Sequence, residues 1–565
     1  RNKLKRLGNS FRGTSDTEVI LTSINEWGIQ KSLKYFDGMF SFAVWDKVDR
    51  ILYLARDRIG EKPMYYGWQN NIFFFGSELK ALKAHPDFNA DISLDAVSQY
   101  IQLNYVPAPL SIYKSIFKLS PGSLLIHDEG NHSIKIESYW SAQDVISDSL
   151  GDGVSYTEYE LIDQLENILL TAVKSRMVSD VPLGAFLSGG IDSSTIVAMM
   201  QYENPRPVKT FTIGFYEKSH DEAKYAKAVA NYLGTDHTEL YITEKDSLNV
   251  IPKLPTLYDE PFSDSSQIPT FLISELARSK VTVSLSGDGG DELFGGYNRH
   301  IWNYNYWGIL SRVPISIRKL FANVVNSVSI SALDRAYNLF YRLLPSTFHV
   351  SYFGDKLHKF SDIVSLTDSR AFYKRLISNV DNSNDILVNS SLKTPSIISN
   401  DEIWNNFSCS TDTMMFYDLI TYLPDDILVK VDRASMGVGL ESRAPYLDHK
   451  VVEFAWKIPT SMKIHNGSGK WILRKVLNRY IPDMDFQRPK MGFGIPIDKW
   501  LKNELKDWAE SLLQENRLKE EGFFDYKLVH NKWREHLEGT RNNQYFIWNI
   551  LMFQAWLDSQ MSSNQ

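Results

Sequence analysis

Two glycine-rich loops, each entered from a run of β-formers, constrain this chain more than any other feature. The first is Leu187-Ser-Gly-Gly-Ile-Asp-Ser-Ser194, between the strand-like Leu183 to Leu187 and a helical pattern from Ser193 to Met200. The second, Ser286-Gly-Asp-Gly-Gly-Asp-Glu-Leu-Phe-Gly-Gly-Tyr297, follows Val281-Thr-Val-Ser-Leu285. Between them, Thr210-Phe-Thr-Ile213 reads as a further strand. Ser219 and Glu222 read as a capping-box pair before the helical face Ala226, Val229, Ala230 and Leu233, with Gly234 as terminator. Alternation of strands with helices predicts a parallel, doubly wound sheet, and open sheets of this kind bind ligands at the C-terminal ends of their strands. Both loops stand there.

The flanking sequence has a different rhythm. Residues 1 to about 140 carry short strand-like runs: Phe40-Ser-Phe-Ala-Val-Trp45 and Ile51-Leu-Tyr-Leu-Ala55 on either side of Asp46-Lys-Val-Asp49, then Pro63-Met-Tyr-Tyr66 and Ile72-Phe-Phe-Phe75 divided by Asn70-Asn71. With helical patterns near Thr17 to Trp27 and Ser77 to Ala84, this predicts an α+β domain built on antiparallel sheet. The polar stretch Ser138 to Ser155 reads as the boundary, and Leu161, Leu165, Ile168, Leu169, Ala172 and Val173 share one helical face beyond it. From about Trp302 the pattern is mostly helical.

Composition excludes several classes. A chain of 565 residues is too long for one core. Its net charge of −7 gives no basic footprint for nucleic acid or an anionic membrane surface. No apolar run is long enough to span a bilayer. The single cysteine, Cys409, rules out an intrachain disulfide, fits a reducing, cytoplasmic setting, and has no catalytic context in Asn-Phe-Ser-Cys-Ser.

The loops suit anions and cations together. Gly189 and Gly190 remove side chains where backbone N–H groups close around phosphate, Ser188, Ser193 and Ser194 bring hydroxyls, and the helix that follows brings its positive end. Asp192 fits beside phosphate when Mg²⁺ lies between them. The loop lacks the Gly-Lys-Ser/Thr ending of a Walker A motif. Asp288, Asp291 and Glu292 in the second loop repel one another unless a cation or an amine sits among them. The plainer readings are a strand-to-helix turn that needed glycine and an acidic surface turn. Lys490, in Gln487-Arg-Pro-Lys-Met-Gly-Phe-Gly-Ile-Pro496, is presented in a constrained loop.

Together with Asp259-Glu-Pro-Phe262, Glu441-Ser-Arg-Ala-Pro-Tyr-Leu-Asp448 and Arg488-Pro-Lys-Met-Gly-Phe493, these loops resemble glutamine-dependent asparagine synthetase, whose first loop is that of the N-type ATP pyrophosphatases. Ser15-Asp-Thr-Glu18, Phe36-Asp-Gly-Met-Phe40, Ala55-Arg-Asp-Arg58, Gly60-Glu-Lys-Pro63 and Gly76-Ser-Glu78 resemble that family's N-terminal-nucleophile glutaminase domain. The implied architecture is an incomplete glutaminase domain at 1–142, then an α/β parallel-sheet ATP pyrophosphatase domain at 155–560 with a mostly helical C-terminal part. The resemblance implies that Leu187 and Ile213 meet adenine through backbone and that Ser286 and Gly287 lie beside the nucleotide. It gives the phosphates to Ser188, Gly189, Gly190, Asp192, Ser193 and Ser194, Mg²⁺ to Asp192 and Asp291, and a phosphate contact to Lys490. Asp288 stands where the best-known members have a glutamate implicated in adenylate formation and amination. Asp16 matches the aspartate that binds the glutamine α-amino group.

The family's cysteine nucleophile, its carboxylate-binding arginine and its Asn-Gly oxyanion pair lie upstream of Asp16 and are not in this sequence; Cys409 lies in the wrong domain to replace the first. The expectation is an ATP-dependent amidation of aspartate through β-aspartyl-AMP, with glutamine hydrolysis absent from the chain as given and free ammonium as nitrogen source. In the intact family an internal tunnel carries ammonia from glutamine, and members are often homodimers. Rival readings are amidation of another carboxylate such as a sugar uronic acid, a non-catalytic ATP-binding remnant, and a tRNA-thiolating relative. The last lacks both a reactive cysteine near the loop and a basic face.

Overall fold

The computed structural model describes residues 1–151, 156–216, 222–340, 352–380, 383–388, 403–404, 407–484, 486 and 494–562. Its first half holds two antiparallel sheets. Strands β1 (Ser41–Asp46), β2 (Ile51–Arg56), β6 (Ser123–Asp128) and β7 (Ser133–Ser138) form one, in the order β1-β2-β6-β7. Strands β4 (Ile72–Gly76), β3 (Tyr65–Gln69) and β5 (Ile116–Lys118) form the other. The β3–β4 hairpin turns on Asn70 and Asn71, at φ 49° and 62°. Two central residues with positive φ match the strand twist, and asparagine tolerates that region. Period-two alternation then sorts β2: Leu52 and Leu54 pack with Met64, Leu119 and Leu125, whereas Ala55 joins Ile29 and Leu33 beneath the helices Asp16–Trp27 and Ile29–Tyr35.

The second half is organised by a five-stranded sheet in the order β10 (Asp236–Ile242), β9 (Lys209–Phe215), β8 (Leu183–Phe186), β11 (Val283–Leu285), β12 (Glu441–Arg443), with every pairing parallel. The expected parallel sheet is present. Strand β12 was invisible in the sequence because it is three polar residues long. The helix Glu158–Arg176 buries Leu161, Leu165, Leu169, Ala172 and Val173, and Thr157 with Glu160 closes a capping box at its start. Of the expected pair Ser219/Glu222, Ser219 lies outside the described residues; the helix runs Ala223–Leu233 and ends on Gly234 at φ 70°. The polar stretch read as a boundary contains a helix, Ala142–Gly151, because Ala142 and Ile146 lie four residues apart and pack into the core beside Leu161. Among the described residues no helix is long and apolar enough to cross a membrane.

One large hydrophobic cluster draws on both halves. Tyr100 and Ile101 from the helix Leu94–Leu103 pack in the same cluster as Trp548, Phe553 and Trp556 of the C-terminal helix Gln544–Ser562. Polar latches sit around it. Asp259 accepts a hydrogen bond from the Leu79 amide (2.9 Å), and Glu260 pairs with Lys118 (2.5 Å). Arg433, 4% exposed, reaches Glu78 at 2.8 Å, donates to the Ser77 carbonyl at 2.8 Å and lies 3.7 Å from Asp259. Removing one member of a buried ionic set strands the others without solvent. Arg433→Ala should therefore lower unfolding free energy by about 3 kcal/mol, read as an earlier first transition in urea.

Candidate active site

The two glycine loops meet. The first leaves β8 and enters the helix Ile191–Glu203; the second leaves β11 and enters the short helix Gly290–Phe294. Gly189 adopts φ 69°, and a Cβ there would stand 2.6 Å from the Ala226 amide nitrogen, so this turn also needs glycine for packing against the helix Ala223–Leu233. A Cβ on Gly287 would meet the Ser193 amide nitrogen at 2.9 Å, and one on Gly290 would meet Asp192 Oδ1 at 2.6 Å. The second loop is glycine-rich where it lies against the first. Asp192 fills the space those missing side chains leave.

A lysine joins the loops. Lys470 Nζ forms a very short ion pair with Asp192 and a 2.6 Å pair with Asp291. Lys470 is buried, and burial alone opposes its charge; Asp192 and Asp291 outweigh that and hold its pKa above the ordinary lysine range. Its backbone is left-handed, φ 58°, at the entrance to the helix Trp471–Tyr480. Gly296 makes the approach possible, because a Cβ there would lie 2.0 Å from both Asp291 Oδ1 and Lys470 Cε. Tyr446 donates to the Asp192 carbonyl at 3.2 Å and steadies the first loop from the far side. Sequence reasoning missed Lys470. Its signal was the turn Asn466-Gly-Ser-Gly-Lys470 before a helix, where Asn466, Gly467 and Lys470 all take positive φ.

The other anticipated residues fall into three groups. Leu187 is fully buried with its amide bonded to the Phe211 carbonyl (2.9 Å), and Ile213 lies in the adjacent β9. The Ser188 and Ser193 hydroxyls bond each other at 3.0 Å, Ser193 Oγ accepts from the Ser188 amide, and Ser188 Oγ accepts from the Gly190 amide, so the first loop is closed by its own hydroxyls. Ser194 is completely buried beneath it. Asp16 is not among the groups joined by Lys470: it is exposed on the first turn of its helix, accepting from the Thr17 amide at 2.8 Å. Lys490 lies outside the described residues.

Asp288 lines a separate space. With Ser286, Ala444 and Asp432 it lines a small cavity that Met39, Glu61 and Lys62 from the first half also line. At about 20 Å³ the cavity accommodates one water-sized molecule. Burial raises the Asp288 carboxyl, Ser286 and Lys430 oppose the shift, and the outcome is a pKa above the ordinary aspartate range. A carboxylate so placed accepts a proton more readily than a solvated one.

Asp192, Asp291 and Lys470 are coupled, which a double-mutant cycle detects. Lys470→Ala should cost about 3 kcal/mol by leaving two carboxylates face to face. Adding Asp192→Asn should restore part of that loss, whereas independent sites would add their costs; urea titration of the four proteins decides.

Comparison with known proteins gives the family. Residues 164–558 match the family model described as Asparagine synthase, and residues 1–140 match the one described as Glutamine amidotransferase domain. The amidotransferase domain, anticipated as missing its start, is thus represented here at residues 1–140. The chain is 32% identical over 564 residues to Asparagine synthetase (glutamine-hydrolyzing) 1 of Bacillus subtilis (strain 168), spanning 98% of this chain and 83% of that one. It is 30% identical over 561 residues to Putative asparagine synthetase (glutamine-hydrolyzing) of Mycobacterium tuberculosis (strain ATCC 25618 / H37Rv), at 97% and 80% coverage. Over 328 residues it is 41% identical to Putative asparagine synthetase (glutamine-hydrolyzing) 2 of Methanocaldococcus jannaschii, covering 58% of this chain and 62% of that one. With both glycine loops, their shared lysine and family matches along both halves, this chain belongs to the asparagine synthase family of carbon–nitrogen ligases.

Proposed function

We propose that the chain amidates aspartate to asparagine with ATP, through a β-aspartyl-AMP intermediate, with residues 1–142 as amidotransferase domain and 155–560 as synthetase domain. One observation carries the reading: Asp192 and Asp291, from loops far apart in sequence, converge on the single ammonium of Lys470. That convergence supports a common seat for a triphosphate at the ends of β8 and β11.

A carboxylate resists ammonia because its carbon is electron-rich and its oxygen leaves badly. Attack of the aspartate β-carboxylate on the α-phosphorus of ATP forms the acyl phosphate bond, breaks the bond to the bridging oxygen, and expels pyrophosphate. Lys470 is positioned to meet that departing charge once the phosphates compete for it, and Lys490 keeps the phosphate contact implied by the resemblance. Asp192 and Asp291 present hard oxygen donors of the kind Mg²⁺ takes, and the bound ion supplies positive charge to the phosphates. Gly287 and Gly290 keep side chains out of the space beside Asp192. Ammonia then forms the C–N bond, AMP leaves with the C–O electron pair, and Asp288 accepts the proton released from nitrogen.

Asp192→Ala should depress aspartate-dependent pyrophosphate release from ATP at least about a thousandfold, a loss typical of removing a group that organises transition-state charge. Pyrophosphate assays over aspartate, glutamate and a sugar uronic acid test both parts of the reading. Release by the variant at the normal rate would remove Asp192 from the site, and release with the uronic acid alone would replace aspartate as the acceptor.

A further inference from the structure

The cavity beside Asp288 has a second carboxylate facing it that the adenylation chemistry leaves unused. Glu61 is contributed by the first half and is 9% exposed. Its loop is held rigidly: Asp57 Oδ1 accepts from the Gly60 amide (2.7 Å) and the Glu61 amide (2.8 Å), and Asp57 Oδ2 accepts from the Lys62 amide (2.9 Å). Arg56 ties down the same loop through the Gly60 and Lys62 carbonyls, at 3.0 and 2.8 Å. Nothing so fixed is a solvated surface acid.

The charges around Glu61 come from several elements. Arg176, at the end of the helix Glu158–Arg176, stands 3.4 Å away. Lys62 is committed to Asp432 of the helix Leu428–Met436 at 2.7 Å. Asp57 on its own loop and Asp448 ahead of the helix His449–Ala455 repel it, and Asp288 lines the same cavity. Three carboxylates and one lysine thus line a space with room for one small molecule. Lys62 is balanced by Asp432, and Glu61, with Oε1 at 3.4 Å from Arg176, shares the cavity with Asp288.

We propose that Glu61 is the proton acceptor that converts ammonium to ammonia in this cavity, next to Asp288. In the step, one N–H bond of ammonium breaks, its proton goes to a Glu61 oxygen, and the electron pair stays on nitrogen as the nucleophile. Glu61 becomes a neutral carboxylic acid and later returns the proton to solvent. The ammonia then attacks the acyl-adenylate, and Asp288 takes the next proton. The division of labour rests on the proposed amidation and gives each carboxylate one proton. Burial, partly offset by Arg176 and reinforced by Asp57 and Asp448, raises Glu61 to about 7, which suits a group that must both accept and release a proton near neutrality.

The test uses the full chain with ATP, aspartate and ammonium chloride. In Glu61→Gln the KM for total ammonium should rise about tenfold near pH 7 with little change in kcat, and the defect should shrink toward about pH 9, where ammonia is less dependent on an acceptor. Glu61→Asp should recover part of the loss. A deficit equal at every pH, or no deficit, overturns the proposal, because a merely structural role has no reason to track ammonium ionisation. Thermal melts supply an arm without turnover: ammonium chloride, against sodium chloride at equal ionic strength, should stabilise the wild type and not the Gln variant. Wild-type stabilisation without asparagine formation refutes the aspartate reading and leaves Glu61 standing. Asparagine formation with neither readout altered in the Gln variant does the reverse.

Discussion

The bridge from Asp192 through Lys470 to Asp291 is the interaction on which the rest of the molecule depends. Three segments, remote in sequence, are tied by one buried ammonium. Two carboxylates so close repel without a cation, and a buried lysine is costly without a counter-charge. Each side makes the other tolerable. The glycines at 287, 290 and 296 follow from the bridge, since a β-carbon at any of them would strike a loop or one of its three charged members. Glycine here is a packing requirement as much as a phosphate-binding one.

Much of this was legible in the sequence. Strand–helix alternation carries the parallel sheet because β8, β9 and β11 are apolar runs bounded by turns, and Asn70-Asn71 carries a hairpin because few other pairs accept two positive φ values. Both loops could be placed at strand ends from pattern alone. Lys470 could not, since a lysine's partners are set by tertiary approach and its local signal was a glycine turn like many others. Glu61 was hidden for the same reason: it lies within Gly60-Glu-Lys-Pro63, but Arg176 and most of the residues lining its cavity come from the second half. Ala142 and Ile146 escaped notice because scattered apolar residues among Ser, Asp and Gly look like a linker until a core is brought to them.

Some motifs that carry the family likeness do mechanical work. Asp259 and Glu260 grip the first half through the Leu79 amide and Lys118, and Glu78 grips back through Arg433. Asp448 caps its helix through the Lys450 amide at 3.0 Å. Residues of this kind resist substitution as strongly as catalytic ones, because an unpaired buried charge is as damaging to folding as a missing base is to turnover. The Asp288 cavity belongs to both categories, since its walls are made by the same closure that these latches secure.

Tyr100 and Ile101 sharing a core with Trp548 and Trp556 has a consequence for how such a chain is inherited. The helix Leu94–Leu103 and the last helix complete one cluster between them, while the first half keeps smaller clusters of its own around Leu54 and Leu33. A gene split between the sheets would yield two polypeptides with adhesive aromatic faces, dependent on immediate reunion to stay dispersed. The aromatic faces that Tyr100 and Trp556 bury in one cluster are the reason to keep the two sheets on one chain.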